Sequence, residues 1–322
     1  MDREIAKREF LDNYFKSPYN IKPIPGDCSP RSYDRIFNEN KNFILMDAPI
    51  EVMNIETFVK IDSILRDNNF SAPEIYKTDK KNGFLLSEDL GNNSFNNILS
   101  DLKNQELYLK EQEIYQYATD LLIELHKINL SEIDLPEYNS DLLLKELRVF
   151  VDHYLKFIKN RELSVKERRE FQATWLEIFQ KLSNDRFLVL RDYHADNLFF
   201  LEKRSIHKKI GLIDFQDAVL GSRAYDLVSF LQDARRDVSK NLQKDMINYY
   251  IDKTSINSTQ FITDYKILSL QRNIKILGIF ARQGILYKNK RYLDLIPRVL
   301  EYVLSSLKED KIFSNLKLFL KW

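Results

Sequence analysis

Three side chains in one stretch have the types and spacing that phosphoryl transfer requires. Asp192 is followed five residues later by Asn197, and Asp214 opens a polar loop further on. Moving the γ-phosphoryl group of ATP needs charge neutralised on three phosphates and an acceptor hydroxyl held in line. Asn197 and Asp214 offer oxygen ligands, which suit Mg²⁺. Asp192 is the group to accept the proton of the attacking hydroxyl and to orient it.

Rigid elements must hold these groups. Apolar runs at 187–190, 198–201 and 210–213 read as short buried strands on either side of the acids. An isolated Asp-x₄-Asn would read as a turn with solvated acids. A strand before it, a strand after it, and Ile213-Asp214-Phe215 at hairpin distance favour the catalytic reading.

The N-terminal third supplies strands. Residues 2–16 read as a helix, and 24–37 as two strands joined by a turn near 26–30. A phosphate-covering loop belongs at such a turn, where Ser29 and nearby amides could touch phosphate. An ordinary turn explains the same residues equally well. The strand at 42–49 has no Lys at its centre, where a protein kinase carries its phosphate-pairing Lys. Residues 54–68 form an amphipathic helix, and strands at 73–78 and 83–87 flank the hairpin signal Lys80-Lys81-Asn82-Gly83. Glu88, Asp89 and Leu90 then fit a hinge whose backbone would hydrogen-bond adenine.

Beyond residue 92 the pattern is helical. Apolar residues recur at helical spacing in 114–128 and 141–159. Ser164 and Glu167 form a capping box. Further helices are expected over 239–253, 259–287 and 294–308, with Gly278 and Gly284 marking close packing or a bend. Asp226 reads as a helix cap, and His126 as a structural hydrogen-bonding residue. Strands first and helices after predict an α+β, two-lobed fold: a small mainly β N-lobe over 1–90 and a larger mainly α C-lobe over 91–322.

Composition narrows the function classes. The 322 residues carry 49 basic and 48 acidic side chains, a net charge of +1, so a nucleic acid is not the expected partner. A single cysteine excludes an internal disulfide and a cysteine-based zinc cluster. No apolar run is long enough to span a bilayer, and the charged start, Met1-Asp2-Arg3-Glu4, has no signal-peptide core. No membrane association and a cytoplasmic location are the expectation.

The stretch from Phe187 to Asp217 resembles the aminoglycoside phosphotransferase/choline kinase superfamily, which has the protein-kinase-like fold. Phe43-Ile44-Leu45-Met46-Asp47-Ala48-Pro49 looks like a family strand in which the Lys is absent. Leu270-Gln271-Arg272-Asn273-Ile274-Lys275-Ile276-Leu277-Gly278-Ile279-Phe280-Ala281-Arg282 looks like a C-terminal helix signature. Together they resemble the anomeric sugar kinases that phosphorylate N-acetylmuramate and N-acetylglucosamine at the 1-hydroxyl in cell-wall recycling. The resemblance implies ATP and Mg²⁺ as cofactors, Asp192 as base, and Asn197 and Asp214 as metal ligands. It implies a phosphate loop containing Gly26, Ser29 and Arg31, with Gln216, Asp217, Gln271 and Arg272 toward a small-molecule amino sugar.

Two positions depart from the pattern. Leu190 stands where the superfamily usually has a loop-bracing His, and Asn273 where the C-terminal signature has His. Two other readings stay open at this point. One is an aminoglycoside- or choline-type phosphotransferase. The other is a nucleotide-binding pseudokinase regulator, to which the absent Lys and Leu190 point. Lys22, Arg31 and Arg35 are the candidates to replace the absent Lys.

Overall fold

A computed structural model of the chain describes residues 3–26, 31–39, 41–50, 55–205 and 208–320. The expected class, α+β with a mainly β N-lobe and a mainly helical C-lobe, is what it contains. By internal contacts the chain forms two compact units. One is Met1–Lys103 with Asp196–Asp217, and the other is Asn104–Ala195 with Ala218–Trp322. The contact grouping thus runs to residue 103 and takes in a later segment, beyond the residue-90 boundary drawn from the pattern of elements.

The first unit is built on a five-stranded antiparallel sheet. Its strands are β1 (Asn20–Ile24), β2 (Ser32–Asn38), β3 (Lys41–Asp47), β4 (Ile75–Asp79) and β5 (Phe84–Glu88), in the order β1-β2-β3-β5-β4. Register puts Ile36 opposite Phe43, and Leu45 opposite both Asp34 and Leu86. Because side chains alternate across a strand, these residues share one face. That face buries Ile36, Phe43, Leu45, Phe84 and Leu86 against Ala6, Phe10 and Leu11 of helix α1 (Arg3–Asp12). Asp34 and Asp47 lie on the same face and would be costly there if unpaired. Lys7 Nζ meets Asp34 at 3.1 Å, and Arg3 Nε donates to Asp47 at 2.7 Å. Tyr33, Arg35, Ile44 and Met46 therefore belong to the opposite face.

Helix α2 (Ile55–Asp67) buries Phe58, Ile61 and Leu65, as its apolar period requires. Phe58 stacks on Phe215 with ring centroids 4.9 Å apart. Helix α3 (Phe95–Ser100) is capped by Ser94. Strands β7 (Leu198–Phe200) and β8 (Ile210–Leu212) form a hairpin, tied to the unit by bridges Ser94↔Phe199 and Ser71↔Gly211.

In the second unit, α4 (Asn104–Leu125) begins about ten residues before the expected start. Residues 141–159 divide into α5 (Ser140–Val149) and a π-helical segment, Phe150–Ile158. The capping box of α6 (Val165–Phe179) forms as expected: Ser164 Oγ accepts from Glu167 N at 3.2 Å, and Glu167 accepts from Ser164 N at 2.8 Å. Strand β6 (Phe187–Val189) pairs with β9 (Val219–Gly221), too short a run to stand out in the sequence. Helices α7 (Ala224–Leu231), α8 (Lys240–Thr254), α9 (Ser258–Ile285) and α10 (Arg291–Glu309) follow.

Helix α9 is the unit's buried axis, packed on α5, the π-helical segment, α7 and α10. Gly278 permits the closest approach, since a Cβ there would sit 2.4 Å from Phe150 N. His126 Nδ1 bonds the Tyr250 hydroxyl at 2.6 Å, the structural role expected of it. No helix among the described residues is long and apolar enough to cross a membrane.

Candidate active site

The β7–β8 hairpin decides where the expected metal ligands stand. Leu198 pairs with Leu212, so the preceding Asn197 and the following Ile213 face one another, and Ile213 N donates to Asn197 O at 3.2 Å. Asn197 and Asp214 therefore emerge at the same end of one hairpin. Asp214 has φ +60°, a left-handed conformation that is uncommon for a side-chain-bearing residue. Strain of this kind persists only where its surroundings enforce it, and it clusters at functional sites. Phe215 is the anchor on one side, fully buried against Phe58.

Asp214 already holds a cation. Arg31 Nη2 lies 2.8 Å from its Oδ1, and the Arg31 side chain is only 6% exposed. Gln216 Nε2 donates to the same oxygen at 3.1 Å and to Asp217 at 3.3 Å. Hard carboxylate and amide oxygens, one of them already facing positive charge, fit Mg²⁺. Gln216 and Asp217 are thus grouped with Asp214.

The expected hinge belongs to the same unit. Glu88 pairs with Arg204 at 2.5 Å, and Asp89 with Arg35 Nε at 2.7 Å. Arg35 also donates to Asn92 at 2.8 Å and to the Gly91 carbonyl at 3.1 Å. Leu90 lies over Gly211, where a Cβ would come within 2.7 Å of its Cδ1. Gly26 has open space around it, and Ser29 lies outside the described residues.

Asp192 belongs to the second unit, in the loop after β6. The chain passes between units at Ala195–Asp196, between Asp192 and Asn197. Leu190 N and Arg191 N donate to the Asp226 carboxylate at 2.6 and 2.8 Å. Asp226 is 1% exposed. It is not the helix cap expected of it; the cap position of α7 is Arg223, with no side-chain bond. Burial pushes the Asp226 carboxyl up to about 7, against the two amides and Arg272, which favour the charge. Arg191 has φ +70°. Asp192 N donates to Leu190 O at 2.9 Å and His194 N to Asp192 O at 3.1 Å, which tightens the turn around Asp192.

A buried network braces the rest of this loop. Arg191 pairs with Glu146, which also takes Lys275 Nζ at 2.9 Å and the Tyr138 hydroxyl at 2.6 Å. Burial would raise the Glu146 carboxyl, but Lys275, Arg191 and Tyr138 outweigh it and hold it below its ordinary value. Ser229 Oγ donates to Arg191 O at 3.3 Å and accepts from Arg272 at 2.7 Å. Tyr193 donates to the Ala118 carbonyl at 2.7 Å.

These partners explain how Leu190, 3% exposed, serves where a bracing His is usual. The brace is Asp226 and Arg272, not residue 190. Gln271 is fully buried and bonds the Leu143 carbonyl and Glu146, each at 3.2 Å. Asn273 is equally buried and donates to Gln232 at 2.6 Å, so its side chain belongs to the packing of α9. Sequence reading passed over Glu146 and Lys275, which lie 129 residues apart, and misjudged Asp226. The one available signal was a carboxylate inside an apolar helix.

Comparison with known proteins identifies the family. The family model described as phosphotransferase enzyme family matches residues 20–259. A protein of Pseudomonas aeruginosa named N-acetylmuramate/N-acetylglucosamine kinase is 30% identical, over 89% of this chain and 83% of its own length. A protein of the same name from Caulobacter vibrioides is 28% identical, over 94% and 92%. Among solved structures, Plasmodium vivax ethanolamine kinase superposes with a TM-score of 0.66 at 16% identity, covering 95% of this chain and 86% of that one, which marks a shared fold. The match spans well over half of the sequence and includes Asp192, Asn197 and Asp214, so the chain belongs to the phosphotransferase enzyme family.

Proposed function

We propose that this phosphotransferase is an ATP-dependent kinase that phosphorylates the anomeric 1-hydroxyl of N-acetylmuramate and N-acetylglucosamine, releasing the sugar 1-phosphate. The observation that carries the reading is the braced loop, with both backbone amides before Asp192 bound by one buried carboxylate. A loop held this firmly suits a base whose main contribution is position. The sugar is inferred from the names of the curated relatives.

In this reading an Asp192 carboxylate oxygen accepts the proton of the sugar hydroxyl and keeps it in line with the γ-phosphate. Asn197 and Asp214 would hold Mg²⁺, which neutralises phosphate charge when bound. Gly26, Ser29 and Arg31 would form the phosphate loop, and the backbone of Glu88, Asp89 and Leu90 would meet adenine at the end of the N-lobe over 1–90, before the C-lobe over 91–322. Gln216 and Asp217 approach the sugar directly. Gln271 and Arg272 act through the residues they hold, Glu146 and Ser229. The proposed setting is the cytoplasm, in the recycling of wall sugars.

The test is ATP consumption by the purified protein with Mg²⁺ and each of N-acetylmuramate, N-acetylglucosamine, choline and an aminoglycoside. Turnover is expected with the two N-acetylated sugars, and phosphorus NMR should identify an anomeric phosphate. Turnover of choline or an aminoglycoside instead would refute the sugar assignment. Asp192→Asn should lower kcat by roughly 10³-fold while leaving Tm nearly unchanged. Undiminished turnover in that variant would remove Asp192 from its role.

A further inference from the structure

Phosphoryl transfer in this fold requires a protein cation at the phosphates, and strand β3 supplies none on the relevant face. Its residues opposite the α1 face are Asn42, Ile44 and Met46. Its one lysine, Lys41, sits at the strand's start on the α1 face, with its ammonium 4.3 Å from the Tyr76 ring centroid. Strand β2 and the residue before it offer two arginines. Arg35 is committed to the hinge, with donors on Asp89, Asn92 and the Gly91 carbonyl. Arg31 is the one whose guanidinium reaches Asp214.

We propose that Arg31 replaces the strand lysine, and that it does so by exchanging partners. In one arrangement its guanidinium pairs with Asp214, as the 2.8 Å contact shows. With nucleotide and metal it turns to the phosphates, and Asp214 passes to the metal ion. The inference rests on Asp214 as metal ligand but not on the identity of the sugar.

Charge supports the exchange. A guanidinium and a divalent ion repel and compete for Asp214, so metal at the carboxylate weakens its pair with Arg31. The phosphates supply the negative charge that keeps Arg31 neutralised after it leaves. Its planar fork matches two phosphate oxygens at once, where a lysine meets them as a point charge. Gln216 stays bonded to Asp214 at 3.1 Å, so the carboxylate need not move far.

The consequence is that Arg31 competes with metal in the empty protein and assists nucleotide in the loaded one. Removing it should therefore shift two affinities in opposite directions. Arg31→Met is compared with the unaltered chain by fluorescence titration with an ATP analogue and Mg²⁺, by titration with adenosine, and by electron paramagnetic resonance of Mn²⁺ without nucleotide. The expected result is ATP-analogue affinity lower by tenfold or more, unchanged adenosine affinity, and Mn²⁺ affinity raised severalfold. Arg31→Lys should recover part of the nucleotide affinity, and it keeps a charge if the Met variant folds poorly.

Equal losses for adenosine and the ATP analogue would mean a structural role and overturn the assignment. So would undiminished binding of the analogue. Mn²⁺ affinity that stays level or falls would overturn the exchange. None of these readouts involves a sugar, so a chain that binds nucleotide as expected and phosphorylates neither sugar would refute only the substrate reading.

Discussion

Leu190 and Arg191 bind a carboxylate that is 1% exposed, whereas the Asp214 side chain is 35% exposed and faces Arg31 in an ion pair. The base loop and the metal hairpin thus differ in how they are kept. In the proposed reading the base stands at one position throughout, which suits a loop whose backbone is fixed by buried bonds. In the proposed exchange Asp214 passes from Arg31 to the metal ion. A buried network there would oppose the change, because breaking such a network costs several kcal/mol. The difference separates what the reaction needs rigid from what it needs exchangeable.

The largest effect expected from breaking this contrast is at Asp226. Asp226→Ala orphans two buried amides and should cost about 4 kcal/mol in urea unfolding, with kcat falling and KM for ATP holding. Full kcat in a folded variant would mean that the loop does not depend on its clamp.

Glu146→Gln comes next, at roughly 3 kcal/mol near neutral pH, since it leaves Arg191 and Lys275 without their buried anion. The Glu146 carboxyl is held below its ordinary value, so its stabilisation is fully present above about pH 4.5 and is lost as pH falls through the folded value. The gap between variant and parent should narrow in acid. A gap that stays constant down to pH 3 would remove the charge network as the cause.

Gly278→Ala should cost about 2 kcal/mol, because the new methyl meets Val149 and Phe150 backbone, which cannot yield as a side chain can. Helix α5, which carries Glu146, runs into that backbone, so kcat should fall with Tm. The smallest effect sharpens the contrast from the other side. Asp214→Asn should change stability by about 1 kcal/mol or less, because the carboxylate is 35% exposed and an amide oxygen can still accept from the buried Arg31, while abolishing metal-dependent turnover. A large stability loss there would erase the distinction between the two regions.

Much of this was legible because it is local. Apolar spacing located most of the helices, Ser164 and Glu167 announced a cap, and short apolar runs flanked the acids at hairpin distance. The π-helical turn at Phe150–Ile158 was not legible, since its residues keep ordinary helical periodicity; its position coincides with the approach of Gly278 from α9. Strand β9 was missed because three residues carry no period, and its ladder exists only because β6 lies beside it.

The spacing of Asp192, Asn197 and Asp214 pointed to phosphoryl transfer, because groups placed by a hairpin recur at intervals set by backbone geometry. The sequence also determined the order of strands and helices, through the burial each segment demands. What holds the base was decided only in three dimensions. Asp226 reaches Leu190 across 36 residues and Lys275 reaches Glu146 across 129, and Arg31 finds Asp214 across 183. A charged side chain records no partner in its own neighbourhood of sequence. Its energy depends on which opposite charge and how little water the fold brings to it, and that is a property of the packed chain.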